Sequence, residues 1–427
     1  MKPQNLEERL VWYTIIYTYG FSFLGIQYAW VPGIAYFLTF CLCKKLWKQT
    51  ENTPPEEKII IPASVWVWIG AMLIMEFSLI MAHIDFDLGM GKIINTTVNT
   101  WAREWALMAL FPLIGCLNIR PQLLYRAACI LCLQSLVLAI ICYLCFLFHI
   151  PSISYVSPLG ALFRGNSNRY TMTLFEVGET DQFRLQLFTN FPPNLGLVGN
   201  IYFFVALLEH NKKWRWIGIM GAAAMVIFSG SRMPIVCLFI VPIVTWALTN
   251  FTWPVQIATG LVSFLAGIYA SVLIEFIDTA WDVGIKGYRS GSERVRSQLK
   301  KIALERWTEA PLWGHGVVAE RGPKTTEGMP IGSHEQWSDL LYIRGMVGFI
   351  AFLFVMLWSI LDLVIKSQKS KLAKAALGIY LVLWVSTFGA DIEGAAYLDW
   401  PGLILTGMAF KEKAPTFIAT QKNQALS

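Results

Sequence analysis

The amino-acid sequence predicts an all-α, polytopic integral membrane protein with about twelve transmembrane helices. Of its 427 residues, 56% are hydrophobic and only 15% are charged. Soluble domains carry charge on about a quarter of their residues, so this composition excludes an ordinary soluble fold. The mean hydropathy of +0.52 and the 14% aromatic content agree with a membrane protein, because Trp and Tyr favour the membrane interface.

Apolar runs that approach the length of a membrane span recur along the whole chain. The predicted spans cover residues 10–27, 30–43, 61–82, 101–116, 123–150, 191–208, 216–228, 233–248, 255–274, 346–365, 375–388 and 398–410. The chain begins polar and continues apolar without a small-residue cleavage site, so we expect an uncleaved first span. All eight cysteines fall in apolar runs, where we expect packing residues rather than metal ligands or disulfides.

The short basic loops predict the orientation in the membrane. "HNKKWR" and "KSQKSKLAK" are rich in lysine, so we expect them to face the cytoplasm together with both termini. Two long segments, 151–190 and 275–333, then lie on the external side. The basic residues form no patch interleaved with aromatic residues, so we expect no nucleic-acid partner.

The external side carries arginine where the cytoplasmic loops carry lysine. The external arginines are Arg164, Arg169, Arg184, Arg232, Arg289, Arg294, Arg296, Arg306 and Arg321. The planar guanidinium suits bidentate contacts with phosphate or carboxylate, so the cluster predicts an anion site. The alternative is ordinary salt bridging to nearby acids within the loops.

The motif "FSGSRMPIVCLF" begins one predicted span at the external side. Ser231 is suited to cap the helix, and Pro234 fits its first turn. Arg232 then lies at a helix N-terminus, where free N–H groups and the helix dipole favour an anion. The motif predicts an anion site at the membrane surface; the alternative is an arginine that pairs with lipid phosphate.

The motif "SERVRSQLKKIALERWTEAPLWGHG" predicts an amphipathic helix on the external membrane surface. Ser290-x-x-Glu293 matches a capping box, and Pro311 ends the run. Its apolar face consists of Val295, Leu299, Ile302 and Ala303. Arg296 and Lys300 lie one turn apart beside this face, whereas Arg294 points elsewhere. We expect Arg296 and Lys300 to meet a lipid headgroup; the alternative is a solvated basic face.

The motif "SHEQWSDLLYIRGMVGFIAF" precedes another predicted span. Ser333-x-x-Gln336 matches a capping box, which would place His334 in the first helical turn. The helix dipole there favours a neutral imidazole, and a neutral imidazole can act as a general base. Gly345 marks a predicted break that would leave Arg344 at the interface. The alternative for His334 is a structural histidine bonded to a loop carbonyl.

The three motifs are distant in sequence, yet all are predicted at the external membrane face. Together they supply an anion cradle and a base, as transfer from a lipid diphosphate to a hydroxyl requires. A flippase or transporter of lipid-linked sugars is the alternative of another class. That class needs charges within spans or internal repeats, and we identify few such charges and no repeat.

These motifs resemble the three motif regions of the O-antigen ligase and polymerase superfamily, over roughly residues 221–352. The resemblance implies an inverting, metal-independent glycosyltransferase of the GT-C type, without a cofactor, in the bacterial inner membrane. The implied donor is a glycan on undecaprenyl diphosphate at the periplasmic face. The implied organisation is N-terminal spans (1–220, with a periplasmic loop at 151–190), a ligase-like core (221–365, with a periplasmic segment at 275–345) and C-terminal spans with a cytoplasmic tail (366–427).

The resemblance also implies roles for individual residues. The two diphosphate-binding arginines correspond to Arg232 and Arg296, with Arg294 as the alternative to Arg296. The base corresponds to His334, and the acid of the last external loop to Asp391. This sequence departs from the family pattern after the histidine, where Glu335 replaces a small polar residue. A carboxylate there would raise the pKa of the neighbouring imidazole.

Three kinds of acceptor are consistent with the family resemblance. The family includes ligases that use lipid A–core, polymerases that use a second glycan, and protein-glycosylating members. A ligase is the first expectation. Arg164, Arg169 and Arg184 in the first long external segment favour a polymerase, which needs a second glycan site. Membrane lipids are expected partners in either case.

Overall fold

The computed structural model describes residues 2–54, 58–152, 154–163, 170–178, 182–250, 290–319, 321–326, 328–332 and 335–413. These residues are mainly helical, as predicted. The helices of the first part are α1 Leu6–Ile16, α2 Thr18–Leu24, α3 Gln27–Lys48, α4 Ala63–Asp85, α5 Met90–Thr96, the π-helix π1 Thr97–Trp105, α6 Ala106–Ile114 and α7 Pro121–Leu147.

Two small antiparallel hairpins follow α7. They consist of β1 Ser154–Val156 with β2 Thr171–Thr173 and β3 Phe175–Val177 with β4 Phe183–Leu185, and α8 Pro158–Phe163 lies between β1 and β2. The later helices are α9 Pro192–Leu207, α10 Lys212–Phe228, α11 Arg232–Thr249, α12 Ser290–Trp307, α13 Gln336–Ser367, α14 Lys371–Ser386 and α15 Ala396–Phe410. Short 3₁₀ turns are formed by Lys324–Thr326 and Glu393–Ala395.

Five helices of the described part are long and apolar enough to cross a membrane, judged by length and composition. They are Gln27–Lys48, Ala63–Asp85, Pro121–Leu147, Arg232–Thr249 and Gln336–Ser367. The other predicted spans within the described residues overlap shorter or interrupted helices. The predicted span at 255–274 lies outside the described residues. The chain is therefore a multi-pass membrane protein in class, and the count of twelve stays a prediction.

The lysine-rich loops gather at one end of the helices, which we call the lysine end. Arg120 and Arg126, at the start of α7, pair with Glu8 and Glu209 at 2.7 and 2.9 Å. Lys366 donates from Nζ to the Phe410 carbonyl at 2.8 Å. The two arginine pairs join the loops around residues 120 and 210. Lys411, next to Phe410, donates from Nζ to the Leu117 carbonyl at 3.5 Å, which links the loop around residue 367 to the same end. The side of the membrane that this end faces stays a prediction.

Close helix packing explains the small residues of α7 and α10. A Cβ at Gly221 would collide with the carbonyl of Cys132, and one at Gly218 would collide with the Cys129 side chain. Both cysteines are fully buried. Small residues let membrane helices approach closely, so these cysteines are packing residues as predicted.

Helix α13 is broken at Gly345, as the sequence predicted. Gly345 has φ 61° and ψ −166°, a conformation that L-residues other than glycine rarely adopt. The helix axis is therefore interrupted after its first nine residues, Gln336–Arg344. Backbone groups on both sides of the break lose their helical hydrogen-bond partners.

The segment 311–316, "PLWGHG", fills this break. Four hydrogen bonds join the two: Met346 N–H to Pro311 O (2.9 Å), Val347 N–H to Leu312 O (3.3 Å), His315 N–H to Tyr342 O (2.8 Å) and Gly316 N–H to Ile343 O (2.8 Å). Irregular backbone is tolerated within a membrane protein when protein groups satisfy it. The loop and the broken helix therefore form one structural unit.

Helix α12 forms where the sequence predicted it. Val295, Leu299 and Ala303 are buried in a small cluster with Ile331 and Tyr342. The apolar face thus packs against protein, which corrects the expectation that it rests on lipid. The side chains of 290–293, including the predicted capping box, lie outside the described residues.

Candidate active site at the arginine end

The ends of the helices opposite the lysine end carry the predicted site residues, and we call this the arginine end. Helix α11 begins at Arg232, with Ser231 in the N-cap position, as predicted. The Ser231 side chain does not cap the helix; its Oγ donates to the Ser229 carbonyl at 3.4 Å. Asn200 of α9 fixes this first turn by donating from Nδ2 to the Pro234 carbonyl at 2.8 Å.

Arg184 reaches the same place from the second hairpin. Its Nη1 pairs with Glu176 Oε1 across the hairpin at 2.6 Å, and the arginine side chain is only 12% exposed. A Cβ placed on Gly230 would lie 3.2 Å from Arg184 Cγ. Arg184 therefore lies against the turn that immediately precedes Arg232. Arg164 and Arg169 lie outside the described residues.

Helix α12 presents Arg294, Arg296 and Lys300 as exposed residues. Arg296 acts electrostatically on the carboxyl of Asp391, in the loop between α14 and α15. Lys300 pairs with Glu335 Oε1 at 2.8 Å. Two of the three basic residues thus connect α12 to other predicted parts of the site.

Helix α13 begins two residues later than the sequence predicted. Glu335 is its N-cap residue and Gln336 its first residue. The Glu335 N–H donates to Asp339 Oδ2 at 2.7 Å, which satisfies this helix end instead. Ser333 and His334, on which the predicted capping box and the predicted base depend, lie outside the described residues.

Glu335 is not an isolated charge beside the histidine. Its Oε1 pairs with Lys300, and its Oε2 accepts a hydrogen bond from Ser338 Oγ at 2.9 Å. Lys300 compensates the carboxylate that distinguishes this sequence from the family pattern.

The loop of residues 387–395, which we call the last loop, meets all three motif regions. Met233 Cε lies 4.0 Å from a Cβ placed on Gly389. Arg296 of α12 faces Asp391 electrostatically. The Ile392 N–H donates to Gln336 Oε1 at 2.8 Å.

Trp337 ties the last loop to α13 a second time, since its Nε1 donates to Thr387 Oγ1 at 3.0 Å. The three motifs are therefore brought together through a part of the chain that lies outside them.

Two carboxyl groups of the last loop, those of Asp391 and Glu393, have raised pKa values. Burial raises the pKa of Asp391 well above its usual range, and Glu393, Asp339 and Glu104 raise it further, while Arg296 opposes the shift. Burial also raises the pKa of Glu393 to about 7, against hydrogen bonds from its own backbone and from Gln336. Perturbed carboxyls of this kind cluster at functional sites.

A buried charged cluster adjoins the last loop, and sequence reasoning missed it. Arg344 is 1% exposed, so it lies inside the protein rather than at the predicted interface. Its Nη1 donates to the Met75 carbonyl at 2.6 Å, and its guanidinium lies 5.2 Å from the centre of the Trp105 ring. Glu76, Glu393 and Glu104 act on it electrostatically.

One feature of the sequence could have indicated this buried cluster. Glu76 interrupts the apolar run "MLIMEFSLIM" of α4, and ionisable residues within spans are rare and usually functional. Thr97 Oγ1 donates to Glu76 Oε1 at 2.5 Å, and the Tyr28 hydroxyl donates to Glu104 Oε1 at 3.2 Å. Glu104 belongs to π1, and π-helical turns frequently occur at functional sites.

The described ranges contain no group of three or more His, Cys, Asp or Glu arranged to hold a metal ion. Arginine side chains supply positive charge at this end of the protein. Arg232, Arg296 and Arg184 occupy the arginine end, where an anionic ligand would find guanidinium groups and a helix N-terminus.

Part of the chain matches a known protein family. Residues 217–353 match the family model described as O-Antigen ligase. The match spans α11, α12, the "PLWGHG" loop and the first half of α13, which contain the three motifs. No curated protein matches the chain. The resemblance drawn from the motifs is confirmed over this segment.

Proposed function

Because residues 217–353 match the O-Antigen ligase family model, we propose that this chain is an inverting, metal-independent glycosyltransferase. The donor is a glycan on undecaprenyl diphosphate, and the acceptor is a sugar hydroxyl, with lipid A–core as the first candidate. The proposal includes a location in the bacterial inner membrane, with the site toward the periplasm. The observation that carries the proposal is the convergence of the three motif regions on the last loop.

The proposed reaction is a direct displacement at the anomeric carbon. His334 takes the proton of the acceptor hydroxyl, and the hydroxyl oxygen forms the new glycosidic bond. The bond to phosphate breaks, and the diphosphate leaves on its polyprenyl chain. Arg232 and Arg296 neutralise the charge that develops on the leaving group, with Arg184 beside them. Attack opposite the leaving group inverts the anomeric centre.

The Asp391 interaction supports Arg296 over Arg294 as the motif arginine. Arg296 faces the loop on which the other motifs converge. Arg294 and Lys300 remain secondary candidates, and the pairing of Lys300 with Glu335 suggests that Lys300 positions the start of α13.

Attachment and elongation are distinguished by the acceptor. A polymerase is the second candidate, because it needs a second glycan site, and Arg184 lies against the turn before Arg232. Purified protein in lipid nanodiscs is given a lipid-diphosphate-linked glycan and either lipid A–core or a second glycan. Attachment to lipid A–core supports a ligase, and chain growth supports a polymerase. The same protein is also reconstituted into closed vesicles. Movement of the donor across the vesicle membrane without transfer to either acceptor supports a flippase and refutes the proposal.

The topology can be tested with single cysteines in a background lacking the native ones. Lys324 is exposed at the arginine end, and Lys371 is exposed at the lysine end. In intact spheroplasts, Lys324→Cys should react with an impermeant thiol reagent, and Lys371→Cys should react only after lysis. The reverse pattern would contradict the periplasmic site.

The diphosphate site can be tested with arginine substitutions. Arg232→Lys keeps the charge but loses the bidentate fork, so we expect a loss of about 1–3 kcal/mol of transition-state binding. Arg296→Ala should reduce kcat/KM similarly. Arg321→Ala, an exposed arginine outside the proposed site, is the control. Wild-type kcat/KM in both Arg232→Ala and Arg296→Ala, at equal expression, would remove the diphosphate site.

A further inference from the structure

A polar cleft lies at the arginine end, beside the last loop. Its walls come from the turn between α2 and α3, from the segment that carries the two hairpins, and from the start of α15. Helices α3 and α15 both end at the lysine end, where Lys45 pairs with Glu7 and the Phe410 carbonyl binds Lys366, so their first residues lie at the arginine end. Six of the lining residues are Ser22, Gln27, Tyr28, Tyr170, Asn190 and Tyr397.

Direct contacts hold the walls of the cleft together. Gly25, with φ 74°, ends α2, and a Cβ placed on it would overlap the Ser157 hydroxyl, so the hairpin segment packs directly on the α2–α3 turn. Phe188 meets Tyr19 of α2 edge to face, with ring centroids 5.3 Å apart. The Tyr28 and Tyr397 rings meet in the same way at 5.2 Å. The cleft is therefore formed before any ligand enters, as most small-molecule sites are.

Gln27 is the most informative residue of the cleft. It is the first residue of α3 and only 8% exposed, yet its side-chain amide forms no hydrogen bond to any residue that the structure describes. A buried amide without a partner is costly, so a polar group in the cleft must meet it. The Ser22 hydroxyl and the Asn190 amide likewise lack a hydrogen bond to the described residues. Three neutral side chains thus offer donors and acceptors to one space.

The backbone beside Asn190 is held in an unusual conformation. Leu187 has φ 52°, which residues other than glycine rarely adopt. Thr189 Oγ1 donates to the Gln186 carbonyl at 2.8 Å, and Gln186 Nε2 donates to the Asn190 carbonyl. Strained backbone persists where the surrounding structure holds it, and it is common at ligand-binding sites. These contacts fix the Asn190 backbone and leave its side-chain amide for the cleft.

The lining determines which ligand the cleft suits. Among the described residues that line it, none is charged, so it does not match phosphate, and its amides and hydroxyls do not match an acyl chain. The enclosed space is about 10 Å³, that of one water-sized group, within an open space of about 310 Å³ that includes the mouth. A sugar hydroxyl fits the enclosed part and can replace the hydrogen bonds of a water there. The tyrosine rings offer apolar faces to the sugar ring.

We propose that this cleft is a sugar subsite, in which Ser22, Gln27 and Asn190 bind a hydroxyl of an uncharged sugar residue. The inference rests on the proposed glycosyl transfer, because the sugar belongs to one of the two glycans of that reaction. Tyr397 is two residues beyond the last loop, so a glycan held here lies beside the loop on which the three motifs converge. The subsite would orient either the acceptor or the sugar end of the donor.

The test measures binding of two water-soluble probes to the full-length protein in lipid nanodiscs by saturation-transfer NMR. One probe is the oligosaccharide released from lipid A–core, and the other is the glycan released from the donor without its lipid diphosphate. Gln27→Met keeps the side-chain length and loses the amide, so Kd should rise about 3–10-fold, as expected for one hydrogen bond. A rise for the core oligosaccharide alone assigns the subsite to the acceptor, and a rise for the donor glycan alone assigns it to the donor.

Gln122→Met is the matched control. Gln122 lies at the lysine end, where its amide contacts His210, so both Kd values should stay at the wild-type level. If Gln27→Met does not fold, Asn190→Ala decides, with the same expected rise in Kd. Wild-type protein that binds neither probe, or wild-type Kd values in folded Gln27→Met, would overturn the inference and leave an ordered water as the occupant. Probe binding without glycosyl transfer would refute the proposed function alone, because the binding measurement needs no reaction.

Discussion

His334→Ala should fold, insert and still bind the lipid-linked donor, yet lose nearly all glycosyl transfer. The arginines hold the leaving diphosphate, so the remaining requirement is removal of the acceptor proton. A positioned general base typically contributes about 10²–10⁴ in rate, and we expect a loss of that size in kcat. Donor affinity should change little, because the imidazole acts on the acceptor. Transfer rates and donor binding are measured on the same nanodisc preparation.

The control for this experiment is His210→Ala. His210 is exposed at the lysine end, and its contact is a 3.5 Å hydrogen bond with Gln122. His315 is less suitable, because its ring stacks between Phe86 and Tyr342 and its loop fills the break in α13. Retention of more than about a tenth of wild-type transfer in His334→Ala would exclude the base assignment.

The helical class and most helix positions could be predicted from the sequence, because apolar runs determine them. The break at Gly345 was predictable for a similar reason, since glycine before a continuous apolar run marks a possible interruption. The residue at which α13 starts could not be predicted in this way. Ser333 and Gln336 match a capping box by spacing, but Gln336 binds the last loop, and Asp339 satisfies the N–H of Glu335 instead.

The separate motifs of the site could be predicted, but their meeting place could not. Arg232 lies at a helix N-terminus, as local sequence indicated. The last loop joins the motifs through tertiary contacts that have no sequence period. Arg344 and Glu104 were missed because each stands near the end of an apolar run, where a charged residue ordinarily indicates an interface. Burial against neighbouring helices gives them a different environment.

The π-helix illustrates the same limit. Residues 101–116 were predicted as one regular span, yet Thr97–Trp105 is π-helical. The wider turn places Glu104 and Trp105 on the side that faces Arg344 and the last loop. Hydropathy detects an apolar helix but does not report its number of residues per turn.

Gly345→Ala should prevent the arginine end from folding, with a cost of more than about 3 kcal/mol. The backbone conformation at Gly345 alone costs about 1–3 kcal/mol for an L-residue. The added Cβ would also collide with the Leu312 carbonyl and the Gly314 N–H. Relieving that collision requires the 311–316 segment to move, which breaks hydrogen bonds worth about 0.5–1.5 kcal/mol each.

Gly345→Ala should also disturb the candidate site, because the first residues of α13 contact the last loop. If the break closes, residues 336–344 rotate relative to the continuous part of the helix, and Gln336, Trp337 and Arg344 lose their partners together. We therefore expect little monodisperse protein in detergent, a lower Tm in what remains, and no transfer. Gly70→Ala in α4 is the control, since its Cβ meets no atom within 4 Å and alanine favours a helix. A Gly345→Ala protein with the Tm and transfer rate of Gly70→Ala would show that the break does not hold the site together.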